Sequence, residues 1–371
     1  MTIFLAGGGS GGPTAPLLAV AEELVKRRPK LKLFFIGSKR GPEISLLSSE
    51  KIDITRLTIP AGKWRRYFSV MNLLDLFKVA AGFLKALFLI NKHKPDLIFG
   101  AGSFVQVPVA WAAFLLKVPV VVHQQDLSPL LSTKLAAPIA KRITVAFAAS
   151  ARSFPQSSGL FRKVNQNKKV VWVGNPVRQS LLRGSAEKAA RAFRLNEKYP
   201  TILVMGGGQG ADAINRALAA SLPELVKYVQ IIHLTGKGNA QGGFRHEHYH
   251  PFEFLSDNLG HAYAAADLVV GRAGMSSIGE ISALGKASIL IPLPGSPQEQ
   301  NAALLAYLRC AVPLTEDVLS PKILVQFIRK ILWNEEVQKT MHENVKKLLP
   351  RGADKKLADV ILKVISGNER G

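Results

Sequence analysis

Short apolar runs of strand length alternate with longer stretches of helical periodicity along almost the whole chain. The runs are rich in Val, Ile, Leu and Phe and end at glycine or a polar turn, which is typical of strands buried in a parallel sheet. The predicted strands are residues 2–6, 31–37, 96–100, 118–123, 142–146, 201–205, 230–235, 268–270 and 288–292. Because helical patterns separate consecutive strands, we predict an α/β protein with doubly wound parallel sheets.

Two of these strands lead into glycine-rich turns that are followed by helical patterns. The first turn joins strand 2–6 to a helix at 17–26, and the second joins strand 201–205 to a helix at 213–225. Such a turn offers backbone N–H groups and the positive end of a helix dipole to an anion. Glycine is needed because a side chain would block the ligand. Two such turns predict two Rossmann-like domains, with a phosphorylated ligand held between them.

The domain boundary is predicted near a polar stretch at 150–167, which contains Pro155 and Gly159. We place an N-terminal domain at 1–163 and a C-terminal domain at 164–345, with the segment 170–178 at the beginning of the second domain. A basic helical tail at 346–371 is predicted to pack back on the N-terminal domain. The 371 residues are sufficient for two cores of ordinary size.

The net charge and the cysteine content indicate the compartment and the class of partner. Cys310 is the only cysteine, so no disulfide can form within the chain, and a reducing cytoplasmic setting is the simplest interpretation. The net charge of +23 is typical of proteins that meet nucleic acid or an anionic membrane surface. The basic residues are dispersed and form no nucleic-acid recognition motif, so nucleic acid is not expected as a partner.

A membrane surface is favoured by one segment. Residues 62–68 mix basic and aromatic side chains, as interfacial segments do, and an apolar helical run follows at 73–90. Asp75, Lys78 and Lys85 interrupt that run, so it is not expected to span a bilayer. Two interpretations stay open: a helix that only covers the sheet, and a helix that also exposes apolar surface to anionic lipids.

The first glycine turn fits two other motifs. Gly7 and Gly12 satisfy the dinucleotide fingerprint, and Lys39 with Arg40 after the next strand suit an NADP 2′-phosphate, so an NADP-dependent oxidoreductase is an alternative. The string Gly-x-Ser-x-Gly around Ser10 also matches a nucleophile elbow, although that elbow normally follows several earlier strands. Neither turn is followed by the Lys-Ser/Thr of a Walker A site.

One short cluster resembles a metal site. Histidines at 246, 248 and 250 alternate along the chain, but no second ligand cluster accompanies them, so a variable surface loop is the preferred interpretation. No Asp-x-Asp pair is present to hold a divalent ion on a diphosphate. We therefore expect no metal and no cofactor, with helix N-termini and polar or cationic side chains stabilising a departing diphosphate.

Seven motifs in order give the chain a family resemblance. They are residues 8–12 with 16–21, 100–104, 123–126, 174–178, 206–211, 272–280 and 298–302. The series resembles the MurG family of UDP-N-acetylglucosamine transferases, which act on undecaprenyl-pyrophosphoryl-MurNAc-pentapeptide at the cytoplasmic face of the bacterial membrane. The resemblance covers nearly the whole chain and implies the two-domain GT-B fold with a cleft between its domains, and UDP-GlcNAc as the donor.

The resemblance also implies a donor site. Met275, Ser276 and Ser277 begin a helix after a glycine, so their N–H groups would face the UDP phosphates, although Ser is also a common helix N-cap. Glu280 would accept hydrogen bonds from both ribose hydroxyls, and without the family a solvated carboxylate would be the first interpretation. Leu255 corresponds to the position whose backbone meets the uracil.

Other positions carried over from the family surround the reacting sugar. Arg178 would neutralise phosphate charge, although a surface ion pair is the simpler alternative. Gln298 would bind sugar hydroxyls, although a polar loop residue is the simpler alternative. Asn301 completes the motif that contains Gln298. Gly208 lies in the glycine turn after strand 201–205. The residues expected to line the cleft from the acceptor side are Ser10, Gly11 and Gly12.

The chain departs from the family pattern at catalytic and acceptor positions. Pro13 stands where the family has a histidine, and Gly208 replaces a serine. Asp126 replaces an asparagine that touches the donor sugar in the family, so the resemblance also implies a substrate-binding role for Asp126. We predict an inverting transfer in which Asp126 takes the proton of the attacking hydroxyl, with His123 as the second candidate base. The predicted function is transfer of GlcNAc to lipid I, giving lipid II in peptidoglycan synthesis. A catalytically altered family member with another acceptor is a further alternative.

Overall fold

The fold is described from a computed structural model of the chain. The structure describes residues 1–371 apart from 9–10, 40, 42, 49–51, 63–69, 155–168, 208–209, 240–242 and 369–371. Ser10, Gly208 and most of the basic-aromatic segment 62–68 therefore lie outside the described residues. The chain divides into two compact units, one formed by 1–178 with 351–371 and the other by 179–350.

The first unit contains a parallel sheet of seven strands in the order β3-β2-β1-β4-β5-β6-β7. Its strands are β1 Thr2–Ala6, β2 Lys32–Gly37, β3 Ile54–Thr58, β4 Leu97–Gly100, β5 Val120–Gln124, β6 Arg142–Val145 and β7 Val170–Trp172. Its helices are α1 Gly11–Arg27, α2 Glu43–Ser48, α3 Val70–His93, α4 Gln106–Leu115, α5 Leu131–Ala136 and α14 Ala353–Asn368, with a 3-10 helix at Ala148–Ser153. The central strands are buried because apolar clusters cover both faces of the sheet.

The C-terminal helix α14 belongs to this first unit. It packs against α1, and Leu357, Ala358 and Ile361 are wholly buried in the cluster that also holds Leu17 and Leu24. An ion pair between Arg27 and Asp359 joins the same two helices. The tail that follows residue 350 is therefore part of the first core.

The structure corrects the sequence-based boundary after residue 163. Val170–Trp172 pairs with β6 as the last strand of the first sheet, with Ile143 opposite Val170. The segment 170–178 thus ends the first unit and does not begin the second domain. Strand pairing determines this assignment, and the polarity of the preceding linker gives no information on which sheet the next strand joins.

The second unit contains a parallel sheet of six strands in the order β10-β9-β8-β11-β12-β13. Its strands are β8 Thr201–Met205, β9 Gln230–Leu234, β10 Tyr249–Phe252, β11 Leu268–Gly271, β12 Ala287–Leu290 and β13 Val312–Pro313. Its helices are α6 Gln179–Leu182, α7 Ala186–Phe193, α8 Asp212–Leu225, α9 Leu259–Ala265, α10 Met275–Leu284, α11 Gln298–Tyr307, α12 Pro321–Leu332 and α13 Glu335–Leu348. The strand order is that of a Rossmann domain, as predicted.

The histidine cluster at 246–250 is partly a strand, which corrects the expectation of a surface loop. His248 is buried, and one of its ring nitrogens lies 2.8 Å from the carbonyl oxygen of Val226, while His250 lies in β10 opposite Ile232. Within the described residues, no group of three or more His, Cys, Asp or Glu side chains has the geometry of a metal site.

The apolar helix predicted at 73–90 is α3, which covers the sheet with one side and exposes apolar side chains on another. Ala86, Leu89 and Ile90 are buried against the sheet, whereas Phe77 and Leu84 expose about two thirds of their surface (68% and 65%). Across the described part of the chain, we find no helix with the length and apolar character required to cross a bilayer.

Candidate active site

Each sheet changes its direction of winding between two neighbouring strands, and ligands of doubly wound sheets bind at the carboxyl ends of those strands. In the second unit these strands are β8 and β11. The turn after β8 contains Gly207 and Gly210 at φ +88° and +79°, a conformation that favours glycine. The turn after β11 leads through Gly274 into α10.

The N-terminus of α10 has the form of an anion site. Gly274 is the N-cap in an extended conformation, and as a glycine it has no side chain with which to cap the helix. Met275 is buried, whereas Ser276 and Ser277 are half-buried in the first turn. The positive end of the helix dipole and the first-turn N–H groups favour a phosphate at this place.

Glu280 lies one turn further into α10 and is buried, with 7% of its surface exposed. The hydroxyl of Tyr263 donates a hydrogen bond of 2.7 Å to Oε2 of Glu280. A solvated helix carboxylate, the simpler alternative for this residue, is therefore excluded. Because a buried carboxylate is costly unless it is hydrogen-bonded, this geometry favours a role that requires a fixed acceptor.

Gln298 and Asn301 lie in the first turn of α11, close to the same strand ends. The backbone N–H of Leu293 donates to Oε1 of Gln298 at 3.1 Å, and a β-carbon built on Gly274 would lie 3.8 Å from Nε2 of Gln298. Asn301 is wholly buried, and its Nδ2 donates to the carbonyl of Ala273 at 3.3 Å. Asn301 thus supports the turn before α10, while Gln298 lies beside that turn.

Arg272 is a residue of this site to which the sequence reasoning gave no role. Its Nη1 pairs with Glu316 at 2.6 Å and lies 3.3 Å from the carbonyl oxygens of both Ile291 and Pro292. Arg272 therefore joins the end of β11 to the segment that leads to α11. The sequence signals were its place as the first residue of the motif 272–280 and its position directly after a buried strand and before a glycine turn.

Leu255 is buried in the segment between β10 and α9, and Tyr263 follows on α9. Of the predicted donor-site residues, Met275, Ser276, Ser277 and Glu280 lie on α10, and Gln298 and Asn301 lie on α11. The structure thus groups six of these residues on two helices that begin at the carboxyl edge of one sheet.

The corresponding strand ends of the first unit are β1 and β4. Gly102, at φ +86°, donates its N–H to Oε1 of the buried Gln106 at 2.8 Å. The hydroxyl of Ser103 donates to the carbonyl of Gly8 at 2.9 Å, so the glycine turns after β1 and β4 are joined. Gly11 begins α1, and Gly12 is half-buried in its first turn.

His123, the second candidate base, is wholly buried in β5. Its Nδ1 lies 3.0 Å from the hydroxyl of Thr144, and its Nε2 lies 3.2 Å from Oδ1 of Asn175. Burial lowers the pKa of His123 to about 4. With both ring nitrogens bonded within the protein, His123 has the geometry of a structural residue, and the catalytic interpretation receives no support.

Asp126 follows the same strand and has a half-buried side chain. Its backbone carbonyl accepts hydrogen bonds from Nε2 of Gln124 at 2.9 Å and from the hydroxyl of Ser150 at 3.4 Å. The backbone that carries this carboxylate is therefore held in place. Arg178 is half-buried at the end of the first unit.

Glu43 is a second residue to which the sequence reasoning gave no role. It is wholly buried after β2, and its Oε1 accepts hydrogen bonds from the backbone N–H and the hydroxyl of Ser38. A β-carbon built on Gly8 would lie only 2.7 Å from the same oxygen. A carboxylate here disfavours the 2′-phosphate of NADP, which Lys39 and Arg40 would accept in the oxidoreductase alternative.

Comparison with known proteins gives matches along most of the chain. The glycosyltransferase family 28 N-terminal domain matches residues 3–145, and the glycosyltransferase family 28 C-terminal domain matches residues 201–359. A UDP-N-acetylglucosamine--N-acetylmuramyl-(pentapeptide) pyrophosphoryl-undecaprenol N-acetylglucosamine transferase 2 of Bacillus cereus is 36% identical over 343 residues, covering 91% of this chain and 93% of that protein. A transferase of the same name, without the number, from Legionella pneumophila is 33% identical over 97% of this chain and 96% of its own length.

Solved structures show the same fold. The crystal structure of MurG from Acinetobacter baumannii superimposes with a TM-score of 0.69 at 24% identity, covering 98% of this chain and 99% of that one. The UDP-GlcNAc 2-epimerase of Neisseria meningitidis also gives a TM-score of 0.69, at 14% identity, covering 98% of this chain and 100% of that one. Because a transferase and an epimerase share this fold, the fold alone does not determine the reaction.

Proposed function

The chain belongs to glycosyltransferase family 28, and we propose that it transfers GlcNAc from UDP-GlcNAc to the MurNAc of undecaprenyl-pyrophosphoryl-MurNAc-pentapeptide. This reaction converts lipid I to lipid II in peptidoglycan synthesis. The observation that carries the proposal is the buried Glu280 carboxylate one turn into α10, in a chain that shares 36% identity with a transferase of that name over 91% of its length.

The donor is proposed to bind at the second unit. The N–H groups of Met275, Ser276 and Ser277 at the start of α10 would bind the diphosphate, where the helix dipole favours anions. Glu280 would accept the ribose hydroxyls, and the backbone of Leu255 would meet the uracil. Arg178, Gly208, Gln298 and Asn301 complete the donor-site residues carried over from the family resemblance.

The acceptor and the proton transfer are assigned to the first unit. Asp126 is proposed as the general base that takes the proton from the attacking hydroxyl, because the family histidine is replaced by Pro13. The hydroxyl then displaces UDP in line with inversion at the anomeric carbon. Ser10, Gly11 and Gly12 are proposed to line the acceptor site.

Attachment to the membrane is proposed to be peripheral, at the cytoplasmic face. Phe77, Leu84 and Phe88 recur on one side of α3 and are exposed, and Lys78 and Lys85 follow beside them. Exposed apolar side chains flanked by lysines are suited to an anionic lipid surface, which also agrees with the net charge of +23.

The test is a transfer assay with radiolabelled UDP-GlcNAc and the lipid acceptor in detergent. We expect one GlcNAc to be attached to the lipid with inverted anomeric configuration. Saturable binding of UDP-GlcNAc without transfer would support the catalytically altered member, for which Pro13 and Asp126 are the specific observations. Calorimetry that detects NADPH binding but no UDP binding would reject the proposal in favour of an oxidoreductase.

A further inference from the structure

Tyr263 contacts the carboxylate of Glu280. Tyr263 is wholly buried on α9, and its hydroxyl donates to Oε2 of Glu280 at 2.7 Å. The same hydroxyl oxygen lies 3.3 Å from the sulfur of Met205. Met205 is the last residue of β8, directly before the glycine turn that follows this strand. A buried phenol needs a hydrogen-bond partner, and a carboxylate is among the strongest acceptors.

The Tyr263 hydroxyl thus contacts atoms of β8 and α10, two elements that flank the predicted uridine site. Leu255, the predicted uracil contact, lies shortly before α9, the helix that carries Tyr263. A glutamate carboxylate rotates about a broad terminal torsion, so its plane is not determined by the helix alone. A chelating contact with two neighbouring ribose hydroxyls requires that plane to be held within narrow limits. The hydrogen bond from Tyr263 supplies this restraint.

We propose that Tyr263 is a positioning residue that orients the Glu280 carboxylate towards the ribose 2′- and 3′-hydroxyls of a uridine nucleotide. This inference rests on the proposed function, because it assumes that Glu280 meets the ribose. Tyr263 does not touch the nucleotide itself. Its contribution to binding therefore depends entirely on Glu280 and on the presence of the hydroxyls.

The substitution Tyr263→Phe removes the hydroxyl and retains the ring. Loss of a hydrogen bond to a charged group is expected to weaken UDP binding about tenfold in calorimetry. Binding of 2′,3′-dideoxy-UDP should not change, since that ligand has no hydroxyl for Glu280 to accept. In transfer kinetics, KM for UDP-GlcNAc should rise while kcat changes little, as expected for a contact made equally in the ground and transition states.

The matched control is Tyr249→Phe. Tyr249 is also a buried phenol of the second unit, but its hydroxyl lies 2.9 Å from a ring nitrogen of His233. This variant should bind UDP and dideoxy-UDP as the unaltered protein does. A Tyr263→Phe protein that loses affinity equally for both ligands would show a merely structural role and would overturn the inference.

A second pair of variants separates this inference from the proposed function. Glu280→Gln should reduce the preference for UDP over dideoxy-UDP, and Tyr263→Phe added to it should cause no further loss, because the two residues act as one unit. If Glu280→Gln keeps the full preference, the proposed donor site fails. If Glu280→Gln loses the preference but Tyr263→Phe keeps it, only the positioning role fails.

Should the Tyr263→Phe protein not melt cooperatively, 4-aminophenylalanine at position 263 gives an independent test. That residue keeps the ring and presents an N–H donor in place of the hydroxyl. We expect it to retain most of the preference for UDP over dideoxy-UDP. Loss of that preference in a protein that melts normally would overturn the inference.

Discussion

At the scale of single residues, Asp126 has the strongest chemical consequence. The family resemblance implies an amide at this position after β5 and a histidine at position 13, whereas this chain has a carboxylate and a proline, which cannot transfer a proton. The other nearby candidate, His123, has both ring nitrogens bonded to Thr144 and Asn175. Asp126 is therefore the residue whose substitution tests the proposed base.

We predict that Asp126→Asn lowers kcat of GlcNAc transfer at least about a hundredfold, the usual contribution of a positioned general base. KM for UDP-GlcNAc should change less than kcat, because most of the proposed donor contacts belong to other residues. Asp53→Asn, which alters an exposed carboxylate of the same unit, is the control and should keep full activity. Transfer by Asp126→Asn near the level of the unaltered protein would remove Asp126 from this role.

Two buried histidines predict how stability depends on pH. Burial lowers the pKa of both His123 and His233 from 6.5 to about 4 in the folded protein. Between these values the unfolded chain binds more protons, so the free energy of unfolding falls as the pH is lowered from 6.5 to 4. At 1.36 kcal/mol per pKa unit, each imidazole contributes a loss of about 3 kcal/mol.

The measurement is the melting temperature between pH 7 and pH 4. His123→Gln lowers the melting temperature at neutral pH but should also reduce its decrease on acidification, because one buried imidazole no longer titrates. An unchanged slope in His123→Gln would contradict the linkage.

The single residues also show where sequence reasoning ends. Glu280 was selected through its motif, and without the family it would be assigned to solvent, because nothing in the local pattern indicates burial. No role was predicted for Tyr263 and Arg272, for the same reason. Their partners, Glu280 and Glu316, come from other elements, so their contacts depend on how α9 and the strand ends pack. The spacing of a motif does not contain that information.

At the scale of elements, α10 begins at an N-cap glycine, which has no side chain to accept a first-turn N–H. Gly274 has φ −75° and ψ 148°, which any residue can adopt, so glycine is not required there by backbone strain. A β-carbon would also fit, since its nearest neighbour would lie 3.8 Å away. A side chain at position 274 is therefore sterically tolerated, and an acidic N-cap there tests whether α10 binds the phosphates, as proposed.

We predict that Gly274→Asp keeps or slightly raises stability, by a few tenths of a kcal/mol, because aspartate is a better N-cap than glycine. UDP affinity should fall at least about tenfold, since the carboxylate accepts the first-turn N–H groups and repels the diphosphate. Calorimetry and thermal melting measure the two effects separately.

The control for this substitution is Ser320→Asp at the N-cap of α12. Ser320 already accepts the N–H of Ile323, and α12 packs on the second sheet through Leu324 and Ile328. An acidic cap there should leave UDP affinity unchanged. A Gly274→Asp protein that binds UDP as tightly as the unaltered one would exclude α10 as the phosphate site.

The strands show which parts of the fold the sequence predicts. All nine predicted strands are present, and each lies inside its sheet. The four that were missed or assigned to the wrong domain, β3, β7, β10 and β13, are the edge strands of the two sheets. Three of them, β3, β10 and β13, carry Thr, Arg, His or Pro, because an edge strand is buried on fewer sides. The fourth, β7, is the apolar run Val170–Trp172, whose sequence does not show which sheet it joins. The position of an edge strand in a sheet depends on the strand it pairs with, and the local sequence does not show that partner.

At the scale of the whole molecule, the two units repeat one design. Both sheets order their first strands 3-2-1-4-5, and in both the glycine turns follow the strands at the change of winding. The two similar glycine turns in the sequence therefore predicted the architecture correctly. The two units differ in their surfaces: the first carries the exposed apolar side chains of α3 and α4, two helices that pack against each other.

These exposed side chains lead to a prediction about membrane binding. Leu84 and Phe88 on α3 expose 65% and 63% of their surface, and basic residues line the same helix. Replacing both with Gln removes apolar area without changing the net charge of +23. We expect retention on anionic vesicles to fall by about tenfold or more, because each buried large side chain contributes roughly 1.5–3 kcal/mol.

The matched control replaces Tyr307 and Trp333 of the second unit, which are exposed by 84% and 57%, with Gln. Equal loss of retention in both proteins would mean that apolar exposure in general, and not α3, drives attachment.

Transfer activity in detergent should survive the α3 substitutions, because they lie outside the proposed donor site. Added salt should weaken the remaining retention of the α3 variant more steeply than that of the unaltered protein, since only the screened charge attraction is left. Full retention of the α3 variant at low and high salt would contradict a membrane surface at this helix.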